Sequence, residues 1–287
     1  MHSKTNQRIE HALYVVATPI GNLSDISLRA LDILNRADVV AAEDTRNTRH
    51  LLQHHGIGDA KLLAVHQHNE RGSADKIIAL LQDGKSVALV TDAGTPAVSD
   101  PGAVLVEAVR EAGLRVIPIP GASAVVTALS ASGLVNPHFM FYGFLPNKSA
   151  ARRVVLQSLA NQTCTLAFYE APHRILECTA DLLAVFGNER EIVFARELTK
   201  LFESIHRCKL GDAPDWLNSD PNNQRGEFVL LVSGAPERTE ALDAEAERVL
   251  TLLLTELPLK QAVQLAVQIT GQNKNALYQK ALALKSA

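Results

Sequence analysis

The residues best placed to do chemistry lie between Val90 and Gly102, in VTDAGTPAVSDPG. A short apolar run, Ser86 to Val90, stops there in a loop shaped by glycine and proline. Asp92 puts a carboxylate at the strand tip, and Gly94 lets main chain approach a ligand closely. The carboxyl edge of an open α/β sheet is where small ligands bind. Asp100 and Pro101 read as the N-cap and first residue of the next helix. The same spacing suits an ordinary strand-to-helix turn, and taken alone it leaves both readings open. Glu43-Asp44, with Arg46 two residues on, is a second polar group after an apolar run; it suits either a ligand or a salt-bridged turn. His66 and His68 lack a clear third ligand, so no metal site is predicted. Asn147 to Arg153 carries Lys148, Arg152 and Arg153 without an acid, a composition that can hold phosphates. Arg174 and the pair Arg196-Glu197 could each hold substrate or pair across an interface.

These groups need a scaffold, and the hydrophobic pattern supplies one. Short β-branched runs at 13–17, 39–42, 62–65, 87–90 and 116–119 alternate with helical patterns. That alternation predicts a mainly parallel sheet with helices on its faces. Pro118, Pro120 and Gly121 close this unit. Beyond it, a helix at 123–132 precedes strands at 139–144, 165–169, 192–195, 204–206 and 228–232. Helices are predicted at 150–159 and 175–186, and the loops between the last strands point to a mixed second sheet. The tail reads as an amphipathic helix over 240–257, then helix, Gly271 turn and helix over 259–284. The predicted domains are therefore 1–120, 121–236 and a helix-turn-helix-like tail, 237–287.

Six segments recur in a fixed order: YVVATPIGNLSDI at 14–26, AAEDTRNTRHLL at 41–52, the loop at 90–102, FLPNK at 144–148, FYEAPHR at 168–174 and RGEFVLLV at 225–232. Together they resemble the tetrapyrrole-methylase superfamily of S-adenosylmethionine enzymes. Within it they look most like the branch that methylates a cytidine ribose 2′-oxygen of small-subunit ribosomal RNA. Each segment alone is weak; the ordered set is specific, and it runs from Tyr14 to Gly234 with a weaker match through the tail.

The resemblance implies two α/β domains with S-adenosylmethionine in the cleft between them. Cofactor contacts fall on Asp92, Ala93, Gly94, Pro96 and Ala97. Ser123 and Ala124 offer a helix N-terminus to a carboxylate. Gly226 and Glu227 open a further strand. Phe168 and Tyr169 point to opposite faces of their strand, so one of the two faces the cofactor. Pro19, Gly21, Asn22, Arg152 and Arg174 are assigned to substrate, and Lys148, Glu43 and Arg46 to catalysis. Methyl transfer asks mainly for alignment of nucleophile, methyl and sulfur. A ribose hydroxyl must also lose or share its proton, and Asp44, His66, His68, Glu70 and Glu170 join Glu43 and Lys148 as candidate bases or orienters. The resemblance also implies a homodimer. Alternative functions are methylation of a corrin or porphyrin precursor, and a non-catalytic RNA-binding role in ribosome assembly.

Composition narrows the classes further. At 287 residues, 47% apolar and 21% charged, the chain is globular and long enough for about two domains. A net charge of −3 means that contact with RNA must come from local patches. Four lysines and no acid after Pro258 make the tail one such patch, or a solvated helical hairpin. Three cysteines without CxxC spacing suit a reducing compartment. The polar start and the lack of an apolar run of ~18 residues predict a cytoplasmic protein without membrane spans. The G-x-x-x-x-G-K-[ST] and G-x-G-x-x-G fingerprints are missing, which argues against P-loop and NAD-type sites.

Overall fold

The computed structural model describes residues 9–66, 70–236 and 244–286. They divide into two compact units that meet in sequence at Gly234 and Ala235. The larger unit holds two sheets.

In the first sheet, β1 (Leu13–Val16), β2 (Val39–Ala42), β3 (Leu62–Ala64), β4 (Val87–Val90) and β5 (Val116–Ile119) lie in the order β3-β2-β4-β1-β5. All neighbours are parallel. β2 and β4 are buried at every residue, which is why they read as unbroken apolar runs. Successive residues serve opposite faces. Tyr14, Val40 and Val90 pack with residues of α1 (Leu28–Arg36) and α2 (Thr45–His54). Leu13, Ala41 and Leu89 pack with residues of α3 (Glu70–Gln82) and α4 (Ala103–Glu111). The result is helix, sheet and helix in three layers, with the carboxyl ends of β1, β2 and β4 side by side.

The start of α4 differs from the sequence expectation. Asp100 is not its N-cap, and Pro101 lies outside the helix; the cap position is Gly102, at φ 125°. The buried Glu70 carboxylate does the capping instead, accepting from Gly102 N at 2.9 Å and Leu105 N at 3.1 Å. A partner 32 residues away satisfies the orphan donors, so no local cap is needed. Glu70 is thereby removed from the candidate bases.

The second half contributes α5 (Ala124–Ala131), β6 (Phe139–Phe144), α6 (Ser149–Leu159), β7 (Thr165–Glu170), α7 (Ile175–Phe186), β8 (Glu191–Arg196), β9 (Ser204–Lys209), α8 (Ala213–Ser219) and β10 (Phe228–Val232). Its sheet runs β6-β7-β10-β8-β9. β6 and β7 are parallel and the other pairs antiparallel, so the sheet is mixed, as its loops suggest. Phe168, Phe194 and Leu230 face α6, α7 and α8, whereas Ala167, Val193 and Val229 face α5. A buried ion cluster joins α6 to α7. Arg152 Nε meets Asp181 Oδ2 at 2.6 Å, and Arg153 Nε meets Asp181 Oδ1 at 2.5 Å.

The smaller unit is α9 (Ala244–Glu256), α10 (Leu259–Thr270) and α11 (Lys274–Ser286) around Leu250, Val263 and Leu277. Gly271 ends α10 in the left-handed region at φ 68°, a conformation that glycine adopts without a Cβ penalty. Residues 240–243 of the predicted first tail helix lie outside the described residues.

Candidate active site

Two adjoining cavities open at the carboxyl edge of the first sheet. The first, of about 310 Å³, reaches from the loop after β4 to the end of β7 and the start of β10. The second, of about 390 Å³, lies between the loops after β1 and β4 and the start of α2. Ile20, Ala93, Lys200 and Glu227 line both.

The dividing wall is tied together by main chain. Thr18 N donates to Gly94 O at 2.8 Å, and Gly94 N donates to Thr18 O at 3.1 Å. Gly94 holds φ at 82°, a value that side chains rarely permit. Gly21 matters for a different reason. A Cβ there would sit 2.6 Å from Lys200 Cγ, so the loop after β1 lies directly on the Lys200 side chain. Lys200 Nζ in turn bonds Glu197 at 2.9 Å and Glu227 at 2.7 Å. Burial disfavours its charge, but those two carboxylates prevail and raise its pKa. Gly226 keeps this corner compact, because a Cβ there would collide with Glu197.

The second cavity has a polar floor. Thr91 Oγ1 donates to Glu43 Oε2 at 2.6 Å, Asn47 Nδ2 donates to Asp92 at 3.0 Å, and Asp44 N donates to Asp92 at 3.2 Å. Asp44 caps α2 through Arg46 N and pairs with the Arg46 guanidinium at 2.7 Å. Those bonds pull the Asp44 carboxyl down to about 2. The Arg46 side chain itself is exposed.

The first cavity is mostly apolar, with Val98, Ala124, Phe144, Ala195 and Leu198 among its walls. Ser123 and Ala124 bring the start of α5 to it. Tyr169 also lines it, and burial raises its phenol pKa against a hydrogen bond with Val125 main chain. Asp100 lines it too. Burial, then the nearby Glu43 charge, push its carboxyl up to about 6, with the neighbouring Thr91 hydroxyl opposing the shift.

Several sequence-assigned residues meet here. Ala93, Gly94, Ser123, Ala124, Tyr169 and Glu227 line the first cavity. Pro19, Gly21, Asp92 and Ala93 line the second. Glu43 stands behind it through Thr91. Pro96, Ala97 and Gly226 flank the cavities without lining them. Asn22 uses its side chain to cap a short 3-10 turn through Ser24 N at 3.1 Å. Lys148 is exposed at the N-cap of α6 and lines neither cavity.

Three assignments are corrected. Phe168 is fully buried in the core under α6, α7 and α8, because β7 turns it away from Tyr169. Arg152 is fully buried against Asp181 and has no free charge for phosphate. Arg174 is held by Glu170 at 3.1 Å and donates to Leu145 O at 2.7 Å and Asn147 Oδ1 at 2.5 Å, so it shapes the 145–148 loop rather than facing substrate. His66 lines neither cavity, and His68 lies outside the described residues. Sequence reading missed Asp100, Thr91, Asn47 and Lys200 as members of the site. Lys200 sits in a loop whose Glu197 and Thr199 both have positive φ, a backbone state that local pattern does not reveal.

Residues 12–214 match the family described as Tetrapyrrole (Corrin/Porphyrin) Methylases, and residues 240–285 match the RsmI C-terminal HTH domain. This chain belongs to the tetrapyrrole methylase family. Among curated members it is 56% identical over 272 residues to Ribosomal RNA small subunit methyltransferase I of Pseudomonas aeruginosa, covering 94% of this chain and 96% of that one. It is 52% identical to the protein of the same name from Escherichia coli O157:H7, covering 94% of each. Solved structures of the family share the fold at low identity. Cobalt precorrin-4 methyltransferase superposes with a TM-score of 0.58 at 18% identity, over 80% of this chain and 98% of that one. Uroporphyrin-III C-methyl transferase from Thermus thermophilus, complexed with S-adenyl homocysteine, gives 0.55 at 16% over 77% and 97%.

Proposed function

We propose that this chain transfers the methyl group of S-adenosylmethionine to the ribose 2′-oxygen of a cytidine in small-subunit ribosomal RNA. The observation that carries the reading is the pair of cavities sharing one wall, in a chain 56% identical to a small-subunit rRNA methyltransferase over nearly its whole length. That likeness favours RNA over a tetrapyrrole substrate, and catalysis over a purely binding role.

The first cavity suits the cofactor. Its volume lies at the low end of small-molecule sites, and its apolar walls fit an adenine. The start of α5 offers N–H groups to the methionine carboxylate. Tyr169 gives an aromatic surface, and Ala93, Gly94 and Glu227 bring main chain close. When bound, S-adenosylmethionine supplies an activated methyl group, so the protein's task is orientation.

The second cavity suits the ribose. Pro19 and Gly21 form one side, and Thr91 and Asp92 the floor. Glu43 accepts the Thr91 hydroxyl proton, which puts a carboxylate one hydroxyl away from an incoming 2′-OH. Arg46 and Lys148, both exposed, serve RNA phosphates around the opening. Residues 1–120 and 121–236 act as the two lobes of the cleft, and 237–287 as an RNA-binding tail.

A homodimer is supported by apolar exposure on edge strand β6, where Phe139, Met140, Tyr142 and Phe144 are all open to solvent. No helix among the described residues is long and apolar enough to cross a membrane; the proposed ribosomal RNA substrate supports a cytoplasmic location.

The test is tritium transfer from labelled S-adenosylmethionine to undermethylated small ribosomal subunits, with nuclease mapping of the product. Label in one ribose-methylated cytidine is expected. No label, despite tight cofactor binding, would overturn the substrate and turn attention to other RNAs and to tetrapyrroles.

A further inference from the structure

The charged side chains lining the first cavity are unequal. Lys200 and Glu227 pair with each other, and Glu170 pairs with Arg174. Among the described residues Asp100 has no such partner. Among the described residues, the charges that face it are acidic: Glu43 from the end of β2 and Asp92 from the end of β4. The Thr91 hydroxyl, whose proton goes to Glu43, lies beside it, and the Tyr169 phenol feels its charge from β7. Lys200 lines the same cavity but is held by Glu197 and Glu227.

Two further features fix Asp100 where it is. Its expected place as helix cap is taken by Glu70. The residues before it are wound tightly, with Ala97 at φ 68° and Ser99 at φ 63°. Strained backbone in non-glycine residues persists where its surroundings enforce it, and it clusters at ligand sites. A half-buried carboxylate without a cation, in a largely apolar cavity, is complementary to a cationic ligand.

The cofactor carries positive charge at its sulfonium and its amine. Asp100 lies beside Thr91, and Thr91 lines the adjoining cavity that the proposed function gives to the ribose. On that assignment, the sulfonium would lie on this side of the cavity. We propose that the Asp100 carboxylate faces the sulfonium of S-adenosylmethionine and makes the cleft prefer the charged cofactor over its neutral-sulfur product. The product, S-adenosylhomocysteine, keeps the amine but has lost the sulfonium charge. Transfer would therefore leave Asp100 again without a counter-charge, which favours exchange of product for fresh cofactor.

This inference rests on assigning the first cavity to the cofactor. Asp100 changes charge near pH 6 in the absence of a cation. Ionised Asp100 attracts the sulfonium, so cofactor affinity should rise with pH, whereas product affinity should not. The experiment is calorimetric titration of the full chain with each ligand between about pH 5 and about pH 7.5. The ratio of cofactor to product affinity should rise by roughly tenfold, the change equivalent to one pKa unit. Near pH 6 cofactor binding should release a proton, seen as heat that varies with the ionisation enthalpy of the buffer, and product binding should not. Asp100→Asn should flatten the ratio. A flat ratio in the wild-type chain, or an unchanged slope in Asp100→Asn, overturns the proposal while leaving the cavity assignment intact. If Gly94→Val is folded and binds both ligands normally, the cavity assignment falls and the proposal with it. The proton-release measurement needs no variant, so a poorly folded Asp100→Asn does not block the test.

Discussion

Glu70 caps a helix to which it does not belong: its carboxylate accepts the N–H of Gly102 at 2.9 Å from the first residue of α3. The bond fastens α3 to α4 and frees the residues just before Gly102 to line a cavity. Glu70→Ala would leave the N–H groups of Gly102 and Leu105 buried and unmatched. We expect a loss of about 1–3 kcal/mol in urea unfolding, the cost of orphaned buried donors. A stability unchanged within error would show that solvent can reach those groups.

Gly94 sits at φ 82°, with Ile20 Cγ2 in ordinary contact at 3.5 Å from where a Cβ would be. Gly94→Val combines a strained backbone with a branched side chain at the dividing wall. Cofactor binding by calorimetry should be abolished in a protein that still unfolds cooperatively. Normal affinity would put this loop outside the site.

Asp181 is buried between Arg152 and Arg153. Burial alone would raise its pKa, but bonds from Arg153, Arg152 and Ser149 outweigh that and hold it below the usual carboxylate value. The stabilisation is complete above the unfolded-state pKa and is lost as pH falls through the depressed folded value. Asp181→Asn should cost about 3–5 kcal/mol at neutral pH, because it strands a buried guanidinium. The loss relative to wild type should shrink in acid. A constant difference from pH 7 down to about pH 2 would contradict the ion-pair account.

The smaller unit can be removed cleanly only as a whole. Cutting at Pro258 would strip α10 and α11 from α9 and expose Ala246 and Leu250, so the cut belongs at Ala235. Lys280 already pairs with Glu247 at 2.9 Å, which leaves Lys260, Lys274 and Lys285 as the stronger candidates for phosphate. Deleting 235–287 should weaken RNA binding and lower its salt slope by about 2, at roughly 0.7 per single-strand phosphate contact. Cofactor affinity should stay the same, since the first cavity is lined by the larger unit alone. Full RNA affinity after deletion would make the tail a structural appendage.

Phe139 and Met140 are exposed on edge strand β6 and lie outside both cavities. If the proposed homodimer uses this strand, the wild-type chain should sediment as a dimer at micromolar concentration, and Phe139→Glu with Met140→Glu should sediment as a monomer without loss of cofactor binding. An unchanged sedimentation coefficient would move the interface elsewhere.

Much of this architecture could be read from the chain, and the reasons are local. β2 and β4 announce themselves as unbroken runs because both faces are buried, and α7 and α10 match their predicted bounds because their apolar spacing is regular. The loops after β1 and β4 were visible through their glycines and prolines. What escaped depended on distant partners. Nothing near Asp100 tells that Glu70 has taken its capping role. Nothing in the basic stretch 147–153 reveals that Asp181, 28 and 29 residues further on, pairs with both of its arginines. Lys200 gained its place through left-handed turns at Glu197 and Thr199, which pattern reading treats as plain loop.

The paired main-chain bonds between Thr18 and Gly94 have one more consequence. They make a single partition between the two cavities, which the proposed function gives to different ligands. A ligand that orders the partition from one side spares the other part of that entropic cost. The coupling is reciprocal: by whatever factor bound cofactor changes the affinity for RNA, bound RNA changes the affinity for cofactor by the same factor.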